Sequence, residues 1–227
     1  MVIADGCRLC GCGMTRGSVS VVMATGAISV ATAGTRAGLV SPRELASTPA
    51  SIADGRVWLL TTSAIVADRP AVASILGFLA VGLVSVKLCA PRVAWIAAAG
   101  GHVFSALIVY AALGVVRLLD PSAPGGVQHL SDYGTSAIIA AWIGAIAYRL
   151  WALERAVASV ALVVASALLG WYFKGTVTLL DTEHAVALAF GIGAMRLAPR
   201  IESVRAPRGL RQVIRRVAVV MVGASRP

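Results

Sequence analysis

Ser136 and His184 are the two residues of this chain whose types and surroundings suggest catalysis. Ser136 lies near the start of an apolar run that carries no charge until Arg149, and His184 lies at the start of a second, largely apolar run. A serine hydroxyl is a weak nucleophile and needs a neighbouring base, whereas a histidine can accept a proton and return it near neutral pH. If their side chains meet, the two residues can form a dyad for acyl transfer.

Each of these residues heads a stripe of small residues along one helix face. The stripes consist of Ser136, Ala140 and Gly144 in the first run, and of His184, Ala187, Gly191 and Ala194 in the second. Association of helices in a membrane depends on close packing, so small residues mark the faces that neighbours can approach. We therefore predict that the first run is a central helix and that the second packs beside it.

The composition is that of an integral membrane protein. Of the 227 residues, 58% are hydrophobic and 13% are charged, whereas charged residues make up about 25% of a soluble domain. Long uncharged stretches alternate with clusters of arginine, which is the pattern of membrane spans and their flanks. The net charge of +10 is concentrated in the C-terminal tail, so we do not expect nucleic acid as a partner.

The hydropathy pattern predicts an all-α membrane protein with six transmembrane helices. We expect these spans at about 17–35, 70–86, 93–116, 132–148, 156–173 and 183–199. They form one domain, 17–199, between an N-terminal tail, 1–16, and a basic tail, 200–227. The connection 36–69 is polar except for residues 57–67, which are too short for a span and fit the membrane interface, with Trp58 as an anchor.

The distribution of basic residues predicts the orientation. Six spans place both termini on one side, and that side has 14 Lys and Arg residues against six on the other. Basic residues are enriched in cytoplasmic segments. We therefore expect a multi-pass protein of the cell membrane with both termini in the cytoplasm, and with Ser136 and His184 near the outer face.

Three motifs together resemble those of the rhomboid intramembrane serine proteases. The segment Trp58-Leu-Leu-Thr-Thr-Ser63 is similar to W-R-x-x-T-S in the first external loop of that family. Gly134-Thr-Ser136-Ala137 resembles the G-x-S-G around the nucleophile, and His184-x-x-Ala187-x-x-x-Gly191 resembles H-x-x-G-x-x-x-G in the sixth helix. The resemblance covers about residues 56–199 and implies a six-helix rhomboid-like bundle.

The resemblance also implies roles for single residues. Ser136 would be the nucleophile and His184 the base, with Gly134 and Thr135 at the start of the oxyanion site. The expected partners are the lipid bilayer and the transmembrane segment of a client protein, and neither a metal nor another cofactor is expected.

This sequence departs from the rhomboid pattern in ways that leave other functions open. Leu59 and Ala137 replace motif residues, and the second span has neither the His nor the Asn that helps to bind the oxyanion in that family. Losing one such donor typically lowers the rate about 10²–10³-fold. The alternatives are an inactive rhomboid-like protein that binds membrane-protein clients, or a structural multi-pass protein. A small transporter has less support, because the spans carry no buried charge pair of the transporter kind.

Two further residues could support the site. His102 lies within the third span, where an ionisable residue is by default a functional candidate; it either supplies a polar contact that the second span lacks or bonds to a neighbouring helix. Asp132 either caps the fourth span, which we favour, or orients His184.

The N-terminal cysteines suggest a second kind of chemistry. Cys7, Cys10 and Cys12 could offer three thiolates to a metal, but no fourth ligand lies nearby in sequence, so we expect free thiols.

Overall fold

The computed structural model describes residues 15–67, 70–120, 131–174 and 179–197. These residues are almost entirely helical, and among them the only β-type pairing is an isolated antiparallel bridge between Ser47 and Asp132. The predicted all-α fold class is therefore confirmed for the described part of the chain.

One long helix is followed by three short ones and then by five long ones. In chain order they are α1 (Arg16–Arg36), α2 (Pro42–Leu45), α3 (Pro49–Ala53), α4 (Leu59–Thr62), α5 (Ala71–Leu88), α6 (Pro91–Leu119), α7 (Thr135–Ala152), α8 (Ala156–Lys174) and α9 (Leu179–Leu197). A single 3₁₀ turn, Ser63–Ile65, follows α4. The three N-terminal cysteines and the basic C-terminal tail lie outside the described residues.

Four of the described helices are long and apolar enough to cross a membrane: α1, α5, α6 and α7. The other two predicted spans also form long helices. However, the described apolar part of α8 is the shorter Ala156–Leu168, and α9 carries Asp181, Glu183 and Arg196. The structure thus supports a helical membrane protein, and the arrangement of six membrane-crossing helices stays a prediction.

The polar connection between α1 and α5 is folded into short helices. Helices α2 and α3 are each only one or two turns long, and Thr48 starts α3 with a reciprocal capping box that includes Ser51. Trp58 is 58% exposed, as an interfacial anchor requires, whereas Leu59 and Leu60 beside it are buried. This connection therefore packs onto the helices through one side and leaves the other open.

Helix α7 is the central helix, as its small-residue stripes predicted. It packs against α5, α6 and α8, and 56% of its residues are buried, against 22–33% in the other three candidate spans. Trp142 fixes it in place: its ring is fully buried against Phe78 and Trp95, with centroid distances of 4.8 and 5.6 Å. The Trp142 Nε1–H donates to the carbonyl oxygen of Ala94 at 2.8 Å, so the buried indole is also satisfied.

The backbones of α7 and α9 approach each other closely where both helices have glycine. A Cβ at Gly144 would overlap the carbonyl oxygen of Leu188, and a Cβ at Gly191 would overlap that of Ala141. Ala141 and Ala187 are fully buried in the same contact. Only glycine fits at these two positions, so the stripes predicted from the sequence do form the contact between the two helices.

We predict opposite effects for two alanine substitutions in α9. Gly191→Ala should destabilise the protein, by about 1–3 kcal/mol, because the new methyl group must push α7 away. Gly193→Ala is the matched control: nothing lies within 4 Å of its Cβ position, so alanine should stabilise the helix by up to about 1 kcal/mol. Thermal unfolding in detergent measures both. Equal unfolding temperatures for the two variants would contradict this packing.

Candidate functional site

Ser136 and His184 form a hydrogen-bonded pair. Ser136 is the second residue of α7, His184 lies in the second turn of α9, and the distance from Ser136 Oγ to His184 Nε2 is 2.8 Å. This distance is within the range in which a base can accept the proton of a nucleophile. The predicted meeting of the two side chains, 48 residues apart in sequence, is confirmed.

The helix packing explains why the pair forms. Both residues lie near the N-terminal ends of their helices, and the close contact at Gly144 and Gly191 fixes how far apart those ends can be. Ser136 is half-buried, and the side chain of His184 is 25% exposed. The contact between α7 and α9 therefore holds the pair together, and both side chains remain partly accessible to a reactant.

The carboxylate beside the imidazole belongs to Asp181. Its Oδ1 lies 4.0 Å from His184 Nδ1, and its side chain is 32% exposed. At this distance the contact is electrostatic and not a direct hydrogen bond. Asp181 can favour the protonated imidazole that forms during catalysis, but it does not hold the ring as the acid of a buried triad does.

The predicted cap at Asp132 is wrong. The cap residue of α7 is Gly134, which makes no side-chain cap hydrogen bond. The Asp132 carboxylate instead accepts a bond from Ser47 Oγ at 3.4 Å, and its backbone pairs with that of Ser47. The Asp132 side chain is buried against the α1–α5 connection, where its carboxylate oxygens need hydrogen-bond donors.

The predicted oxyanion residues are only partly available. The Gly134 N–H donates to the carbonyl oxygen of Ser63 at 3.0 Å, so it cannot also bind an oxyanion. The Thr135 side chain is buried and its hydroxyl has no hydrogen-bond partner. The N–H groups of Ser136 and Ala137 belong to the first turn of α7, where no intrahelical acceptor exists, and they form part of the positive end of the helix dipole.

The segment that resembles the rhomboid loop motif joins the α1–α5 connection to the site. Thr62 Oγ1 donates to the carbonyl oxygen of Leu45 at 3.1 Å, which closes the connection on itself. Ser63 Oγ lies 3.2 Å from His102 Nε2. The Thr-Ser end of the motif is therefore structural in this chain, since it holds the connection over the ends of the helices.

His102 supports the turn before Ser136 and does not act on Ser136 directly. Its Nε2–H donates to the carbonyl oxygen of Leu60 at 2.6 Å, and its ring packs so tightly on Gly134 that a Cβ there would overlap it. His102 thus bonds to a neighbouring helix, α4, which is one of the two interpretations from the sequence. A contribution of His102 to the catalytic site stays a prediction.

Sequence reasoning missed that Glu183 is buried. Its carboxylate accepts from Ser105 Oγ at 3.4 Å, and a ring nitrogen of His102, a carboxylate oxygen of Asp132 and one of Glu183 all lie within 4.8 Å of one another. No local signal in the sequence pointed to this burial, because the partner Ser105 lies 78 residues away.

Chemically, the partly exposed pair offers a nucleophile, a base and two helix N–H groups, which is the minimum set for acyl transfer. We compared the chain with models of protein families, with curated proteins and with solved structures, and none of them matched it.

Proposed function

We propose that this chain is a rhomboid-like intramembrane serine protease that cleaves a peptide bond in the transmembrane segment of a client protein. The observation that carries the proposal is the 2.8 Å contact between Ser136 Oγ and His184 Nε2. The three motifs and their order add to it, as does the central position of α7. Fold analogy alone would not carry it, because function depends on the site.

The proposed reaction uses only residues of this chain. Ser136 Oγ attacks the carbonyl carbon of the client while its proton passes to His184 Nε2. The first-turn N–H groups of α7 bind the oxyanion, and His184 then returns the proton to the leaving amine. Water activated by the same imidazole hydrolyses the ester on Ser136, which restores the free hydroxyl.

In this proposal all six long helices cross the cell membrane, with both termini in the cytoplasm. Ser136 and His184 then lie near the outer face, where water can enter for hydrolysis. A client helix would reach them laterally and would need to unwind, because the peptide bonds of a helix are shielded by their own hydrogen bonds.

Labelling with a fluorophosphonate probe tests the dyad. The wild-type protein should be labelled, and Ser136→Ala and His184→Gln should each lower the labelling rate at least 100-fold, because one removes the nucleophile and the other its base. Ser166→Ala is the matched control, since that hydroxyl lies in α8 and bonds back to the carbonyl oxygen of Leu162. Labelling that persists in Ser136→Ala, or a wild-type protein that is never labelled, would refute the proposed catalysis.

A smaller effect is expected at Asp181. Because its carboxylate is partly exposed and 4.0 Å from the ring, Asp181→Asn should lower the labelling rate by about tenfold or less, whereas a buried triad acid contributes about 10⁴-fold. The same fluorophosphonate assay measures this, with Asp54→Asn on the distant, exposed Asp54 as the control. A loss as large as that of His184→Gln would mean that Asp181 acts as a full triad member.

A second candidate function is the binding of membrane-protein clients without cleavage. Two observations favour it: α5 has neither His nor Asn, and the Gly134 N–H is already bonded to Ser63. The oxyanion site would then be too weak for useful rates. This function predicts that Ser136→Ala leaves client crosslinking in vesicles unchanged and that the wild-type protein releases no cleaved client. A cleaved client that appears with the wild-type protein but not with Ser136→Ala would rule out this second function.

A further inference from the structure

We propose that His102, Asp132 and Glu183 bind one divalent metal ion of the Zn²⁺ or Mn²⁺ class, at a site separate from the Ser136–His184 pair. The inference does not depend on the proposed proteolysis. It follows from the geometry of three buried side chains that come from α6, from the segment before α7 and from α9.

The three side chains are close enough to share an ion. One ligand-type atom from each lies within 4.8 Å of the other two, and their residues are only 2%, 4% and 2% exposed. Ligand atoms on one ion, at bonds of about 2.0–2.2 Å, lie at most about 4.4 Å apart, so small side-chain rotations close the set. One imidazole with two carboxylates suits Zn²⁺ and Mn²⁺ better than the harder Mg²⁺ and Ca²⁺.

The hydrogen bonds of His102 leave one nitrogen for the ion. Its Nε2 lies 2.6 Å from the Leu60 carbonyl oxygen, which can only accept, so Nε2 carries the hydrogen. Nδ1 of the neutral ring then presents a lone pair, and this buried atom has no hydrogen-bond partner. A histidine that binds a metal through one nitrogen usually donates the other N–H to a carbonyl or carboxylate, as this one does.

The two carboxylates also have the outer partners that metal ligands need. Ser47 Oγ donates to Asp132 Oδ2 and Ser105 Oγ donates to Glu183 Oε1, both at 3.4 Å. Such bonds hold a carboxylate in the orientation in which it can bind an ion.

The charge of the cluster favours an ion as well. Asp132 and Glu183 are both buried, and removing a carboxylate from water is costly unless its charge is balanced. A divalent ion neutralises both while leaving His102 neutral. If protons alone compensated the charge through a protonated ring, Nδ1 would donate a hydrogen bond, and it makes none.

Cysteines are the competing ligands, and the test must remove them. Cys7, Cys10 and Cys12 can bind Zn²⁺ on their own, so each is changed to serine in the background protein. Cys89 can stay, because burial raises the pKa of its thiol, in the turn between α5 and α6, to about 11. This thiol therefore stays protonated and is a poor ligand at neutral pH.

The experiment measures metal in the full chain, purified in detergent, stripped with EDTA and dialysed against micromolar MnCl₂ or ZnCl₂. Elemental analysis should give one ion per chain, and the Mn²⁺ electron paramagnetic resonance spectrum should show coupling to one imidazole nitrogen. His102→Gln, Asp132→Asn and Glu183→Gln should each abolish binding. Asp54→Asn, which changes an exposed acid, is the matched control and should keep the ion.

A milder variant keeps the test decisive if those three fail to fold. Ser105→Ala removes no ligand: it removes a hydroxyl that bonds to Glu183 and, at 3.1 Å, to the backbone oxygen of His102. It should therefore keep one ion while its dissociation constant rises about 10–100-fold. Ser136→Ala should bind the ion as the wild type does, whatever its effect on labelling. No bound ion in the wild type would mean that protons alone compensate the cluster, and an ion retained by all three ligand variants would be adventitious; either result overturns the proposal.

Discussion

The contact between the backbones of α7 and α9 is the constraint on which the rest of the structure depends. Gly144 lies against the carbonyl of Leu188, and Gly191 lies against the carbonyl of Ala141. In lipid, helices gain little from burying apolar surface against each other, so association depends on such close van der Waals contact. Because neither helix can rotate or slide without separating these atoms, the pairing of Ser136 with His184 follows from it.

A second set of contacts holds the α1–α5 connection against this pair of helices, and it is polar. Leu60 and Ser63 provide carbonyl oxygens for His102 and for the Gly134 N–H, and Ser47 pairs with Asp132. Apolar contacts alone would leave this connection free to slide over the helix ends. Directional bonds fix its register, so a short chain segment that the sequence presents as a loop becomes part of the site.

Features that arise within one helix could be predicted from the sequence. Stripes of small residues, the apolar runs and the positions of Ser136 and His184 near the starts of their helices all follow from helical periodicity and span length. Features that need a partner far away in sequence could not. The partner of Asp132 is Ser47 and that of Glu183 is Ser105, 85 and 78 residues away, and no local pattern predicts either pairing. The capping prediction failed for that reason: a local rule was applied to a residue whose environment is tertiary.

The exposed pair and the buried cluster are built on the same two short segments. Asp132 and Ser136 flank the turn at Gly134, and Glu183 and His184 are consecutive in α9. Consecutive residues of a helix point about 100° apart, so one chain segment can present an acid to α6 and an imidazole to α7. The tight contact of the His102 ring with Gly134 is the physical link between the polar cluster and the turn that precedes Ser136.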